Sequence, residues 1–425
     1  MTSPRAVHQV LATLGYGDAI GHEVLGIQRV LREAGVDSEI FVETADPRLE
    51  DRTYDYRDLV DASHPENLLL HHFSIGSRAS RVAFALPDRM ALVYHNITPP
   101  EYFVGVHERL VELCWNGRRE LTAYVPRCHL ALGDSEFNRQ ELETLGFPRT
   151  AVLPVVPGFS HLDGRSDWRV ARQFDDERVN ILFVGRVIPN KRIEDLIRIV
   201  DAYQRQFNRQ ARLLVVGAHG GFEAYLAMLH GLASTLGCRD IHFAGHVSNE
   251  ELTAYYQVAD VFLCASEHEG FCVPLVEAFH MGLPVIARAA TAVPATMDGG
   301  GVLYDVTHPP YVAALVDAVV SDAGLTDRIL AAQGAALARL EARDFAGIVL
   351  RFVEQIAGQP ALPPPAVTFD FWDQFSAYER LEELRMYRPG IFKAGGGAAW
   401  QRAMRQPQGS PDGGGTAPVP PGALP

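Results

Sequence analysis

The sequence predicts two α/β domains, each a doubly wound parallel sheet, facing each other across a cleft. Three observations predict it. Short apolar runs alternate with amphipathic helical stretches along most of the 425 residues, the pattern of β-α-β units whose strands are covered on both faces. A turn-rich, charged stretch at about residues 157–178, a candidate hinge, interrupts that rhythm, which then restarts. The composition is that of a globular chain, 47% hydrophobic and 21% charged. Such a chain buries large cores, so collagen-like, wholly disordered and small disulfide-stapled classes are excluded.

In the first half Val7–Ala12 reads as a strand and ends in the loop Gly15-Tyr16-Gly17-Asp18-Ala19-Ile20-Gly21. Val24, Leu25, Ile27, Val30, Leu31 and Ala34 follow at helical spacing. Further strands are expected at Ser38–Val42, Leu68–His72, Leu92–His95, His129–Leu132 and Val152–Val155. In the second half they are expected at Ile181–Val184, Leu213–Val216, Ile241–Phe243, Val261–Cys264, Val285–Ala287 and Val302–Tyr304. Ile193, Leu196, Ile197, Val200 and Tyr203 form one helical stripe, and Ser248 with Glu251 has capping-box spacing. The last helix of this half is expected at about Phe345–Ile356. The domains therefore span 1–157 and 158–358. Residues 359–388 hold the Pro360–Pro365 linker and an apolar-faced docking helix, Phe369–Tyr387. The Gly/Pro-rich segment 389–425 cannot bury enough apolar surface to offset ordering, so disorder is expected there.

Net charge is −14, which lacks the electrostatic footprint of a nucleic-acid binder. The five cysteines include no C-x-x-C pair, which argues against a zinc ribbon or a disulfide framework. No apolar run approaches the ~20 residues that span a bilayer, and the N-terminus has no secretory apolar region. A cytoplasmic protein is expected, able to work peripherally at the inner membrane face.

Ligands of doubly wound sheets bind beyond the carboxyl ends of strands, so the loops there carry the chemistry. The segment from Ser266 to Phe279 follows a strand, and Pro274 suits the first turn of a helix. Amides of Gly270, Phe271 and Cys272 would then face an anion. Glu269 is placed to accept from sugar hydroxyls beside that anion, and Glu277 lies two turns on. The competing reading is that both glutamates merely favour the helix dipole.

Glu269 and Glu277 at E-x7-E spacing, with Gly270-Phe271 and the run from Ala278 to Ile286, resemble the donor signature of the family-4 retaining glycosyltransferases. Members of that family have the GT-B fold, two Rossmann-like domains. The resemblance implies that Glu269 contacts the transferred sugar and Glu277 the nucleotide ribose. Phe183-Val184-Gly185-Arg186-Val187-Ile188-Pro189-Asn190-Lys191 resembles the family's strand–Gly-Arg–loop–Lys, which assigns Arg186 and Lys191 to the donor diphosphate. Cations there would stabilise charge growing on the leaving oxygen. The resemblance also implies that His95, in Val93-Tyr94-His95-Asn96, lies near the donor sugar, although a lone histidine is more often structural. Gly17 in the glycine loop and Gly185 would approach the donor. The backbone at Val247, in Gly245-His246-Val247-Ser248, would sit by the nucleobase. Ser135-Glu136-Phe137-Asn138 resembles an inner-cleft segment. Cys272 stands where many members have Gly, and Ala295 where many have Glu. No D-x-D occurs, so neither metal nor cofactor is expected.

These implications make the chain a retaining transferase with a nucleotide-sugar co-substrate. Its acceptor would be a glycan, lipid-linked or small-molecule hydroxyl. A nucleotide-sugar epimerase of the same fold and a catalytically silent sugar-nucleotide-binding module are the alternatives.

Overall fold

The computed structural model describes residues 4–17, 19–155, 158–363, 365–368 and 370–375. The first sheet comprises β1 (Val7–Leu14), β2 (Ile40–Ala45), β3 (Tyr54–Asp55), β4 (Leu68–Phe73), β5 (Arg89–Tyr94), β6 (Leu130–Gly133) and β7 (Thr150–Val152). Its order is β3-β2-β1-β4-β5-β6-β7. The second comprises β8 (Asn180–Val184), β9 (Arg212–Val216), β10 (Ile241–Gly245), β11 (Val261–Cys264), β12 (Val285–Arg288) and β13 (Val302–Tyr304), ordered β10-β9-β8-β11-β12-β13. All paired strands are parallel, and β1, β4 and β9 read as near-continuous buried runs because helices cover both faces.

Chain order reverses beside β1 and beside β8: β1 pairs with β2 and β4, and β8 with β9 and β11. Loops leaving such neighbours part and open a crevice. Those after β1, β8 and β11 carry the glycine loop, Gly185–Lys191 and Ser266–Phe271. The strand placements expected from sequence differ at their ends. β5 stops at Tyr94, so His95 lies just past the strand, held by its amide to the Phe73 carbonyl at 3.1 Å. Tyr54–Asp55 forms an unforeseen edge strand. The capping box of Ser248 and Glu251 is present and opens the Asn249–Val258 helix. Asp18, in the glycine loop, lies outside the described residues.

One segment packs with the domain expected for it and a second does not. Phe159, Leu162, Val170 and Phe174 are buried in the second domain's core, so most of the supposed hinge belongs to that domain. The Phe345–Ala357 helix crosses back to the first domain, where Val349, Val353 and Ile356 are buried with Val7, Ile27, Leu68 and Val93. Burying each such side chain is worth about 1.5–3 kcal/mol, so the helix's apolar stripe decides its partner and residues 158–358 are not one packing unit. Beyond it, Arg89 and His129 bond the Gln359 and Pro360 carbonyls. Trp372 then packs edge-on against Phe84, centroids 5.0 Å apart. Only the start of the expected docking helix, a short turn over Phe371–Phe375, falls among the described residues; the 389–425 tail lies outside them.

The domains meet through an apolar contact, with the Phe222 ring 5.9 Å from Phe103 and 5.1 Å from His107. Among the described residues no helix is long and apolar enough to cross a membrane.

Candidate active site between the domains

A cavity of about 530 Å³ separates the two sets of strand ends. Gly185, Arg186, Lys191, Glu269, Gly270, Phe271, Cys272 and Glu277 line it from the second domain, and Gly17 and His95 from the first. Of the residues assigned from sequence to the donor or to catalysis, Val247 alone is elsewhere, in the turn after β10 against the second domain's core; Ser135, Glu136 and Ala295 line a neighbouring pocket instead.

The β8 and β11 loops are tied together before any ligand arrives. Asn190 donates its side-chain amide to the His268 carbonyl at 3.0 Å and accepts the Glu267 amide on its own carbonyl at 2.8 Å. The adjacent Lys191 thereby meets Glu269, with Nζ 2.6 Å from both carboxylate oxygens. Burial works against the Lys191 charge, but Glu269, together with the neighbouring Cys272 and Cys264, outweighs it and the ammonium is held more firmly than usual. Thr291 fixes the Glu269 backbone at both ends, accepting from its N–H at 2.8 Å and donating to its carbonyl at 2.9 Å. A cation beside a helix start opposes the helix dipole. Here Glu194 and Asp195 fill the first turn of Ile193–Gln206 and Glu269 takes the lysine. The sequence reading set Lys191 and Glu269 to separate parts of a donor; the structure pairs them directly.

Glu277 is buried on the Val273–His280 helix. His161 lies 3.0 Å from one of its oxygens, and the Tyr256 hydroxyl donates to the other at 2.9 Å. The Glu277 hydrogen bond raises the His161 pKa against the effect of burial. Each carboxylate oxygen has two acceptor directions, so Glu277 can still receive a hydroxyl. Arg186 is exposed, its guanidinium carbon 5.8 Å from the Phe222 ring centroid, with no ion-pair partner among the described residues.

Backbone conformation shapes the contact between the two walls. A Cβ on Gly270 would stand 2.9 Å from the Asn96 Cβ across the interface, so glycine permits close approach of the domains. Asn96, in the left-handed region at φ 66°, lies 2.7 Å from His268 Nε2 and donates to Asn138 at 2.9 Å. Cys272 caps the Val273–His280 helix at φ 77°, a conformation that favours glycine.

On the first-domain wall His95 is embedded, its side chain 1% exposed. Its Nε2 is 2.8 Å from His72 Nδ1 and its Nδ1 is 3.1 Å from Asp134. The far nitrogen of His72 is 3.0 Å from the Gln9 side-chain oxygen Oε1, and Gln9 donates its side-chain amide to the Val24 carbonyl. Burial lowers the His72 pKa well below its usual value, keeping the ring neutral. His72 therefore donates to Gln9 and accepts from His95, and a proton lies between His95 Nδ1 and Asp134. Glu23, from the Ala19–Glu33 helix, completes the group 3.9 Å from His95. Burial first, and Asp134 second, push its carboxyl up to about 8.

Sequence reasoning missed Glu23, Asp134, His161 and Tyr256. Asp134 directly precedes the quoted Ser135–Asn138 segment, a signal that could have found it; the others carry no local pattern. Among the described residues two groups bring metal-ligating atoms within 4.8 Å of one another, Cys264–Glu269–Cys272 and Glu23–His95–Asp134. In the first, Glu269 already holds Lys191; the second is the embedded histidine cluster.

With this geometry in place, comparison with known proteins singles out the second-domain wall. Residues 164–333 match the family model for glycosyl transferases group 1. That span holds the Arg186–Lys191 loop, Glu269 and Glu277, and none of the first-domain wall. D-inositol 3-phosphate glycosyltransferase of Streptomyces bingchenggensis is 31% identical over 190 residues, covering 42% of each chain. The chain thus spans less than half the length of this curated relative. Sucrose-phosphate synthase of Thermosynechococcus elongatus superposes with a TM-score of 0.62 at 16% identity, covering 82% of this chain and 98% of that one. Anabaena HepE in complex with UDP and glucose gives 0.59 at 18%, covering 84% and 100%. The fold is GT-B.

Proposed function

We propose that the protein is a retaining glycosyltransferase that moves a sugar from a nucleotide-diphosphate sugar to an acceptor hydroxyl without a metal ion. The observation that carries this reading is the Lys191–Glu269 pair, delivered by two separate loops to one interdomain cavity inside the group 1 segment. A donor diphosphate entering there competes with Glu269 for Lys191 and adds Arg186. Glu269, released in part, accepts from hydroxyls of the transferred sugar, and Glu277 from the ribose. The bond between the anomeric carbon and the phosphate oxygen breaks as the acceptor oxygen bonds the same face. The acceptor proton passes to the leaving phosphate. Lys191 and Arg186 stabilise the charge growing on that phosphate, the work a metal would otherwise do. His95, embedded with both ring nitrogens engaged by His72 and Asp134, acts from the opposite wall by holding Asp134 in place rather than by touching the sugar. The acceptor is a glycan, a lipid-linked saccharide or a small molecule, met in the cytoplasm or at the inner membrane face.

Screening nucleotide sugars by thermal shift identifies the donor. Mass spectrometry of acceptor mixtures then seeks a product heavier by one sugar, and NMR of that product reads its anomeric configuration. A product with inverted configuration contradicts retention. A rearranged donor with no glycosylated product favours the epimerase, and tight nucleotide binding without donor consumption favours the silent module.

A further inference from the structure

The first-domain wall carries a feature that donor binding does not use. Glu23 Oε1 and Asp134 Oδ1 are buried and have no hydrogen-bond partner. The Glu23 side chain is 4% exposed and that of Asp134 10%. Buried carboxyl oxygens are expensive to leave unmade. Both residues line the 530 Å³ cavity, facing the wall that carries Lys191 and Glu269. Glu23 also lines an adjoining cavity of about 900 Å³ that runs between the Ala19–Glu33 helix and residues 158–161. Among the described residues lining the 530 Å³ cavity, Arg186 and Lys191 are the only arginine or lysine, and both belong to the second domain.

We infer that Glu23 and Asp134, braced by His95, form the acceptor site, and that they take vicinal hydroxyls of a neutral sugar or polyol rather than a phosphate-bearing group. This rests on the transferase reading above. A hydroxyl offers a donor to each unpartnered oxygen and accepts from a protonated carboxyl. The Glu23 carboxyl, pushed up to about 8 by burial and then by Asp134, supplies such a proton at neutral pH. A phosphate offers acceptors only and would meet two carboxyl groups with no first-domain lysine or arginine lining this cavity. Arg29 and Arg52 line only the adjoining cavity.

The test uses the full chain and the donor found by thermal shift. Donor consumption is measured with methyl glycosides of glucose, galactose and mannose, and separately with inositol phosphate and glycerol phosphate. Neutral glycosides are expected to raise consumption above hydrolysis at least tenfold more than the phosphorylated probes. For the best probe, Glu23→Ala is expected to raise the acceptor KM at least tenfold, and Glu23→Gln to recover all but about threefold. Nucleoside diphosphate affinity, read by calorimetry, stays within twofold in both variants. Should Glu23→Ala fail to fold, Asp134→Asn takes its place, and the acceptor comparison needs no variant. Phosphorylated probes equal to or better than neutral ones, no stimulation by either, or an unchanged KM overturns the inference while leaving the transferase reading intact. Absence of nucleoside diphosphate binding by the wild type fails that reading and the inference with it.

Discussion

On the second-domain wall Glu269 is held by Lys191 at 2.6 Å and Glu277 by His161 and Tyr256, whereas on the first-domain wall Glu23 and Asp134 each keep an oxygen without a partner. Both walls bury carboxylates, and burial of an uncompensated charge is costly. The second domain offsets that cost with its own cations and donors. The first retains a proton instead: burial, and Asp134 after it, make Glu23 resist losing its own. Paired groups mark a wall already balanced for a charged ligand that exchanges one partner for another. Unpartnered oxygens mark a wall whose missing partners come with a neutral, hydroxyl-bearing ligand.

The sharpest way to break this contrast is at Lys191. Lys191→Ala removes the partner of a buried carboxylate as well as a charge on the leaving group. Turnover is expected to fall by about 10²–10³, and the melting temperature to drop, because stranding one member of a buried pair costs up to about 3–5 kcal/mol. Arg186→Ala, at an exposed position, is expected to lose turnover with an unchanged melting temperature. Equal melting temperatures for wild type and both variants would show that the Lys191–Glu269 pair contributes nothing to the fold. Wild-type turnover in both would remove them from the donor site.

Glu269→Gln sharpens the division within the second domain. Its turnover is expected to fall more than tenfold, since positioning at the breaking bond suffers most, with nucleoside diphosphate affinity preserved. A loss of affinity matching the loss of turnover would place Glu269 on the nucleotide instead.

A smaller effect concerns protons. The folded-state pKa of Glu23 is raised from 4.5 to about 8, by burial first and Asp134 second. The folded protein therefore binds the extra proton between those values and the unfolded chain does not. This contribution to stability is fully present below about pH 4.5 and is lost as pH rises through 8. Melting temperatures of wild type are expected to decline over that window more steeply than those of Glu23→Gln. Parallel curves would mean that Glu23 ionises normally. The smallest expected effect is that of EDTA: turnover should stay within about twofold, since Lys191 and Arg186 take the electrostatic role. Loss in chelator with recovery in magnesium or manganese would contradict metal independence.

The legible parts of the site were those written within one loop. Glu269 and Glu277 share a helix start, and Arg186 and Lys191 share a strand-to-helix turn, so local spacing carried them. Glu23 and Asp134 come from a helix and a loop more than a hundred residues apart, joined only because β1 and β6 flank the same sheet centre. No local pattern encodes that meeting. His72, which the sequence shows only as the end of a strand, is buried and fixes the tautomer of His95. The alternation of strands and helices was likewise legible and gave both sheets. The Phe345–Ala357 helix shows the limit, because an apolar stripe reveals that a helix must dock but not on which domain.

Calorimetry with a bare nucleoside diphosphate tests the central claim, that the second domain holds the donor and the first the acceptor. Glu277→Gln is expected to bind it more than about tenfold more weakly than wild type, the loss of a hydrogen bond to a charged group, whereas Glu23→Ala binds it within twofold of wild type. Equal affinity in wild type and Glu277→Gln, or a tenfold loss in Glu23→Ala, would contradict the assignment of the two walls.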